Sequence, residues 1–309
     1  MRRTGGLSRL NLLGFTLVIG VAVVVAACSN HKSSTAPSSS DKLGDVHGDP
    51  GISKAANDQI LNAAAQVTAQ VSQADLVARG RQLFFSTSVA KAGESCGTCH
   101  INGGGVNAQV GTIHHPTKAG DFTGPRDPIQ LWGVGRTAPY LWDGKTATLE
   151  QQTTNVILNF FKAGSTQPAT TTASQMAAVV AYMRTLEPPR TAFDNGQLSP
   201  LAKQGQALFE GKDGCATCHS GPNFTDNRVH VVGVPTITSK DTDPGNPGVP
   251  GAFNTPGLRD VKDTAPYMHN GKFATLKEVL GFYDNNKTVG TPPIPGPDRD
   301  AIIAYLESL

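Results

Sequence analysis

The sequence predicts a mainly α-helical protein: two tandem copies of one small helical domain, each interrupted by a long Gly/Pro-rich loop. Three observations predict it. The same sequence blocks occur twice in the same order, apolar residues within them recur at helical spacing, and 34 glycines with 21 prolines leave little room for dense secondary structure. A chain of 309 residues, 16 % charged and 38 % hydrophobic, has room for two soluble domains of ordinary size. Its 26 basic and 24 acidic residues leave a net charge of +2, so no cationic surplus points to nucleic acid.

The elements follow in chain order. Residues 1–28 read as an export signal: Arg2, Arg3 and Arg9 are basic, Leu12 to Ala27 is an apolar run, and it closes on Val25-Ala26-Ala27-Cys28. That ending resembles a bacterial lipobox, whose cysteine becomes the lipidated first residue of the mature protein. The alternative is an uncleaved membrane anchor; the small residues before Cys28 favour cleavage. Both place the globular part outside the cytoplasm, on the periplasmic side, tethered to the membrane. Residues 29–56, rich in Ser, Lys, Asp and Gly, cannot bury a core and read as a flexible tether. Two domains then span 57–189 and 190–309, with the boundary near Pro188-Pro189, where a helix must stop.

The repeat supports that division. Ala78-Arg-Gly-Arg-Gln-Leu-Phe84 precedes Cys96-Gly-Thr-Cys99-His100, and Ala202-Lys-Gln-Gly-Gln-Ala-Leu-Phe209 precedes Cys215-Ala-Thr-Cys218-His219. Thr137-Ala-Pro-Tyr140 matches Thr264-Ala-Pro-Tyr267, Thr148-Leu149-Glu150 matches Thr275-Leu276-Lys277, and the segment 178–186 matches 301–309. Each half should open with an amphipathic helix, near Asp75–Phe84 and Pro200–Phe209. A second helix should begin where Thr148 or Thr275 can cap its first turn, and a third should close the half. Gln59–Gln73 is expected to add one helix before the first domain.

Four of the five cysteines form the two Cys-x-x-Cys-His motifs, the attachment signature of c-type haem. Both thiols, three residues apart, reach one edge of the macrocycle and bond its vinyl groups, and the adjacent histidine is held under the iron. Two copies in matching contexts leave little weight for a chance dithiol or half a zinc site. The sequence therefore predicts two covalently bound haems in two cytochrome c-like helical domains. Their cofactor-binding residues are Cys96, Cys99, His100, Cys215, Cys218 and His219, with His100 and His219 as proximal iron ligands. With Cys28 assigned to lipid, no cysteine is left over for a disulfide. The second axial position decides whether an iron only carries electrons or binds a small oxidant.

From Asp75 to Leu309 the chain resembles the bacterial di-haem cytochrome c peroxidase and MauG superfamily. The second half carries the likeness most specifically, in Cys-His-Ser-Gly-Pro-Asn-Phe-Thr-Asp at 218–226, Asn-Thr-Pro-Gly-Leu-Arg-Asp at 254–260 and Thr-Ala-Pro-Tyr-Met-His-Asn-Gly at 264–271. The resemblance implies an N-terminal haem that meets hydrogen peroxide and a C-terminal haem that receives electrons from a small protein, a cytochrome c or a cupredoxin. It implies that Trp142 relays electrons between the haems, and that His114 or His115 caps the first iron at rest. Tyr283 matches the MauG tyrosine and becomes a distal ligand of the second iron, with Met268 as the competing ligand. A calcium site follows at Asp127, Thr264 and Pro266. One departure stands out: the family's glutamate near the first haem falls on Lys162, and the usual proline is absent at Val156. The implied activity is peroxide reduction; a non-catalytic di-haem electron carrier and a MauG-like oxidase of a partner protein are the alternatives.

Overall fold

The computed structural model describes residues 54–89, 95–101, 106–107, 113–114, 125–160, 169–237 and 243–309. The signal, Cys28 and most of the tether lie outside them, as do His115 and Lys162. Among the described residues no helix is long and apolar enough to cross a membrane.

Among the described residues eight α-helices carry the fold: α1 Lys54–Gln70, α2 Gln73–Phe84, the single turn α3 Cys96–Cys99, α4 Leu149–Asn155, α5 Ala169–Met183, α6 Pro200–Glu210, α7 Leu276–Tyr283 and α8 Gly296–Leu306. The extra helix before the first domain exists, but it starts at Lys54, inside the stretch read as tether, and stops three residues before Gln73. Capping explains why the others start where they do. The hydroxyls of Ser72, Thr148, Ser199 and Thr275 accept backbone N–H bonds from Asp75, Gln151, Ala202 and Glu278, each worth about 1 kcal/mol. At Thr275 the bond is reciprocal, because the Glu278 carboxylate accepts from the Thr275 N–H at 2.9 Å. α4 runs on into a π-helical turn, Val156–Phe160. Val156 makes this possible: its N–H bonds back to Gln152 and Thr153, which a proline could not do.

In each half the opening helix crosses the closing helix, α2 on α5 and α6 on α8. Both crossings turn on a buried glycine. A Cβ at Gly80 would lie 1.9 Å from the Ala178 carbonyl oxygen, and one at Gly205 would lie 1.9 Å from that of Ala301. Beside each crossing an aromatic pair fills the core: Phe84 meets Tyr182 edge-on at 5.3 Å, and Phe209 meets Tyr305 edge-on at 5.4 Å. The internal repeat thus returns as a repeat of packing.

The loops repeat as well. Ala138-Pro139 and Ala265-Pro266 are both cis, Leu141 and Met268 both adopt left-handed backbone, and the Tyr140 and Tyr267 hydroxyls donate to the Val134 and Val261 carbonyls, both at 3.2 Å. These loops are not wholly irregular. Four short antiparallel ladders pin them, pairing His100–Ile101 with Val106–Asn107, Ile113–His114 with Pro125–Arg126, Val229–Val231 with Ala252–Asn254, and Gly245–Asn246 with Val249–Pro250. In the longest, Val229 stands opposite Asn254. Between α5 and α6 the stretch around Pro188-Pro189 has no regular structure.

The glycine crossings set a sharp expectation. Gly80→Ala and Gly205→Ala should each destabilise the protein by about 3 kcal/mol, because backbone rather than a flexible side chain must yield. Urea midpoints of the holoprotein measure this, and a change below about 0.5 kcal/mol would refute the close-crossing account.

Candidate functional site

Two cavities open in the structure, one in each half. The first, about 220 Å³, is bordered by Cys96, Cys99 and His100; the second, about 410 Å³, by Cys215, Cys218 and His219. Apolar side chains make most of both walls, among them Leu131 and Ile157 in the first and Leu280 and Ile302 in the second. Each Cys-x-x-Cys-His motif is a tight helical turn, Cys96–Cys99 and Cys215–Thr217, so its two cysteines face one cavity with the histidine directly behind.

Burial sets the charge states. It holds the Cys96 thiol up at about 12 and the Cys215 thiol at about 11, and it pushes the His100 imidazole down to about 4. Burial also lowers His219. Both imidazoles are therefore neutral near pH 7, with one ring nitrogen free to bind a metal. His219 shows which one: its Nδ1 lies 3.0 Å from the Phe224 carbonyl oxygen. A carbonyl only accepts, so Nδ1 carries the proton and Nε2 keeps the lone pair. Apolar walls, paired thiols and a neutral, oriented imidazole fit a haem in each cavity.

The wall between the cavities is shared. Asp127, Pro128, Ile129 and Trp142 border both. Trp142 donates from Nε1 to the Asp127 carbonyl at 2.7 Å, and its ring meets His269 edge-on at 6.5 Å. In the repeat His269 is the counterpart of Trp142, so the two halves meet through equivalent residues. His269 is stacked on Phe253 at 3.6 Å, and the Arg126 guanidinium lies 5.5 Å from the centroid of the Phe253 ring. Arg126 is itself largely buried, its side chain 12 % exposed, and paired with Asp243 at 2.6 Å. None of this layer (Arg126, Asp243, Phe253, His269) was legible in the sequence, because its contacts join distant segments without a motif.

The distal positions differ between the cavities. Met268 and Tyr283 both border the second, and Leu141 and Val156 occupy the matching places in the first. Burial, with the Cys218 and Cys215 thiols beside it, pushes the Tyr283 phenol up to about 12. Met183 also reaches the first cavity, where its sulfur accepts a long bond of 4.0 Å from the Thr153 hydroxyl. Asp143 and the Gln152 amide are among its polar wall groups. His114 has its backbone paired with Pro125; its side chain lies outside the described residues, as do His115 and Lys162. Asp127, Thr264 and Pro266 all border the second cavity. One cluster was not anticipated: Cys218, Asp226 and His230 present ligand-type atoms within 4.8 Å of one another, and His230 pairs with Asp226 at 2.7 Å. Cys218 is the cysteine that the haem motif uses for attachment, which leaves the His230–Asp226 hydrogen bond there.

Fold and site together define a duplicated cytochrome c-type protein with one haem motif per half. Comparison with known proteins gives the family. The profile described as di-haem cytochrome c peroxidase matches residues 74–187. The cytochrome-c peroxidase IdrP1 of Denitromonas iodatirespirans is 31 % identical, over 76 % of this chain and 81 % of its own. The methylamine utilization protein MauG of Methylorubrum extorquens is 28 % identical, over 88 % and 84 %. Among solved structures, a MauG-like protein associated with microbial copper homeostasis superposes with a TM-score of 0.63 at 20 % identity, covering 76 % of this chain and 88 % of that one. The di-haem peroxidase BthA of Burkholderia thailandensis gives 0.59 at 19 %, covering 76 % and 86 %. The chain belongs to the bacterial di-haem cytochrome c peroxidase and MauG superfamily, an oxidoreductase family whose members carry two c-type haems.

The shared wall depends on a buried charge pair. Asp243→Asn should leave the Arg126 guanidinium buried with less of its counter-charge and cost about 3 kcal/mol. The holoprotein's urea midpoint would read that loss, and an unchanged midpoint would mean that Arg126 reaches solvent or another partner.

Proposed function

We propose that the protein is a membrane-tethered di-haem cytochrome c peroxidase-type oxidoreductase on the periplasmic side. It reduces hydrogen peroxide with electrons from a small redox protein: H2O2 takes up two electrons and two protons and leaves as two waters. One observation carries this reading. Met268 and Tyr283 border the second cavity where Leu141 and Val156 border the first. Thioether and phenolate oxygen ligate haem iron, isobutyl and isopropyl groups do not, and the thioether that reaches the first cavity, Met183, is engaged by the Thr153 hydroxyl. The second haem is thus closed and suited to electron transfer, and the first keeps a side on which a small oxidant fits.

In this assignment Cys96 and Cys99 attach the first haem and Cys215 and Cys218 the second, with His100 and His219 as proximal ligands. Bound haem supplies the redox chemistry of O–O cleavage. Trp142, on the wall common to both cavities, relays electrons between them. Asp143, which with Asp127 supplies the carboxylates bordering the first cavity, takes the proton-handling role that Lys162 fills poorly. His114 or His115 gates the first iron.

A calcium ion bound by Asp127, Thr264 and Pro266 fits the internal symmetry. The counterpart of Asp127 is Asn254, whose amide nitrogen donates to the Pro139 carbonyl at 2.6 Å. An Asp127 carboxylate can make no such bond to the equivalent Pro266 carbonyl, and a hard cation between them satisfies both oxygens. Cys28 carries the lipid.

Tyr283 supports a second reading, a MauG-like oxidase of a partner protein. A phenol held at about 12 by burial gives up its proton only to a strong compensating cation, and ferric iron is one.

The tests use the holoprotein lacking residues 1–28. Half-reduced protein should consume peroxide and oxidise a reduced small redox protein in proportion. Absence of turnover with two low-spin haems in every redox state would leave a tethered electron carrier. Tyr283→Phe should change the spectrum of the second haem and Met268→Leu should not if the phenolate is the ligand. The reverse pattern would assign the thioether and remove the support for the oxidase reading.

A further inference from the structure

Three of the four methionines lie among the described residues, in three different settings. Met268 borders the second cavity and is half-buried. Met176 is fully buried in the core of the first half and borders neither cavity. Met183, the last residue of α5, is only 8 % exposed and borders the first cavity.

The internal repeat shows what is unusual about Met183. Where 178–186 matches 301–309 its counterpart is Leu306, which borders the second cavity as Met183 borders the first. Leucine and methionine fill nearly the same volume, so packing does not ask for the exchange. Their chemistry differs. A thioether is polarisable, and a two-electron oxidant converts it to the sulfoxide, which a leucine side chain cannot undergo. The cavity that carries this thioether is also the one with Leu141 and Val156 at its distal positions. Its sulfur has a polar neighbour: the Thr153 hydroxyl, reaching across from α4, donates to it at 4.0 Å and borders the same cavity. That bond is long because sulfur is a weak acceptor. A sulfoxide oxygen is a strong one, and the donor for it is already in place.

We infer that Met183 is an oxidation site of the first cavity: hydrogen peroxide that enters when no donor electron is available converts its thioether to the sulfoxide. The inference rests on the proposed function in one respect, that peroxide enters the first cavity. The O–O bond breaks, one oxygen bonds to sulfur, and the other leaves as water with both protons; sulfur loses the two electrons that peroxide gains. The product puts a polar group into an apolar wall, where Thr153 holds it. Peroxide reduction at the first haem then falls, so the protein shuts down when peroxide outruns its electron supply.

Site-resolved mass spectrometry tests this on the oxidised holoprotein lacking residues 1–28, exposed to peroxide without donor. Oxidation driven by solvent exposure would choose the half-buried Met268 and spare Met183; oxidation directed by the first cavity reverses that order. Met183 should gain one oxygen about tenfold faster than Met268 or Met176. Fragment ions of the tryptic peptide 163–184 separate Met183 from Met176. The bulkier tert-butyl hydroperoxide, which reads exposure, should show no preference for Met183. Activity assayed afterwards with donor should fall in step with Met183 oxidation, and about fivefold more slowly in Met183→Leu, which copies Leu306. Should that variant lose a haem, the oxidation order in the wild type decides alone. Met183 left unmodified, oxidised no faster than Met268, or preferred equally by the bulky oxidant would overturn the site. Full oxidation of Met183 with activity intact would overturn its effect on turnover. The peroxide reading fails separately, as a first-haem spectrum that peroxide leaves unchanged in every redox state.

Discussion

Two backbone hydrogen bonds set the geometry on which the site depends. The Asp127 N–H donates to the His269 carbonyl at 2.9 Å, and the Asn254 N–H donates to the Trp142 carbonyl at 2.6 Å. Asp127 and Asn254 are counterparts in the repeat, and so are Trp142 and His269. Each half thus hands the same bond to the other. The exchange fixes Trp142 on the wall between two cavities. Around it, Gln130 donates to the Gly257 carbonyl, Trp132 to Asp260 at 3.2 Å, and the Asn223 amide to the Gly133 carbonyl at 3.3 Å. Each such bond contributes only about 1 kcal/mol. Together they leave little freedom to slide one half past the other.

Burial does the rest of the electrostatic preparation. Removing water disfavours whichever form of a group is charged, so the same apolar wall keeps thiols protonated and imidazoles neutral. For a histidine beneath an iron, neutrality is the useful state. The Phe224 carbonyl adds orientation by holding the Nδ1 proton of His219. No charged side chain is needed in either motif. The cavities can remain apolar, which suits a macrocycle whose faces are hydrocarbon.

Much of this was legible in the sequence, and the rest was not for identifiable reasons. α2, α4, α6 and α7 start where Ser or Thr caps are written in the chain, and a cap acts within one turn. The Cys-x-x-Cys-His motifs are equally local. α1 was misplaced because its apolar stripe is weak, so periodicity does not mark its ends. The layer of Arg126, Asp243, Phe253 and His269 was illegible because Arg126 meets Asp243 and Phe253 across more than a hundred positions, and neither partner carries a motif.

Duplication also explains how one scaffold gives two unlike cavities. Glycine crossings, aromatic pairs, cis prolines and threonine caps recur in both halves, so the frame tolerates little change. Divergence is confined to positions that the frame does not need: Leu141 against Met268, Val156 against Tyr283, Trp142 against His269, Asp127 against Asn254. Three of these four exchanges alter chemistry without altering the backbone pattern. Leu141 and Met268 even share the same left-handed conformation, at φ 71° and 73°. The only exchange with a backbone consequence is at Val156, where α4 passes into a π-helical turn and α7 simply ends at Tyr283. A π turn shifts the register of the side chains after it. The wall of the first cavity therefore differs from that of the second in residue type and in spacing.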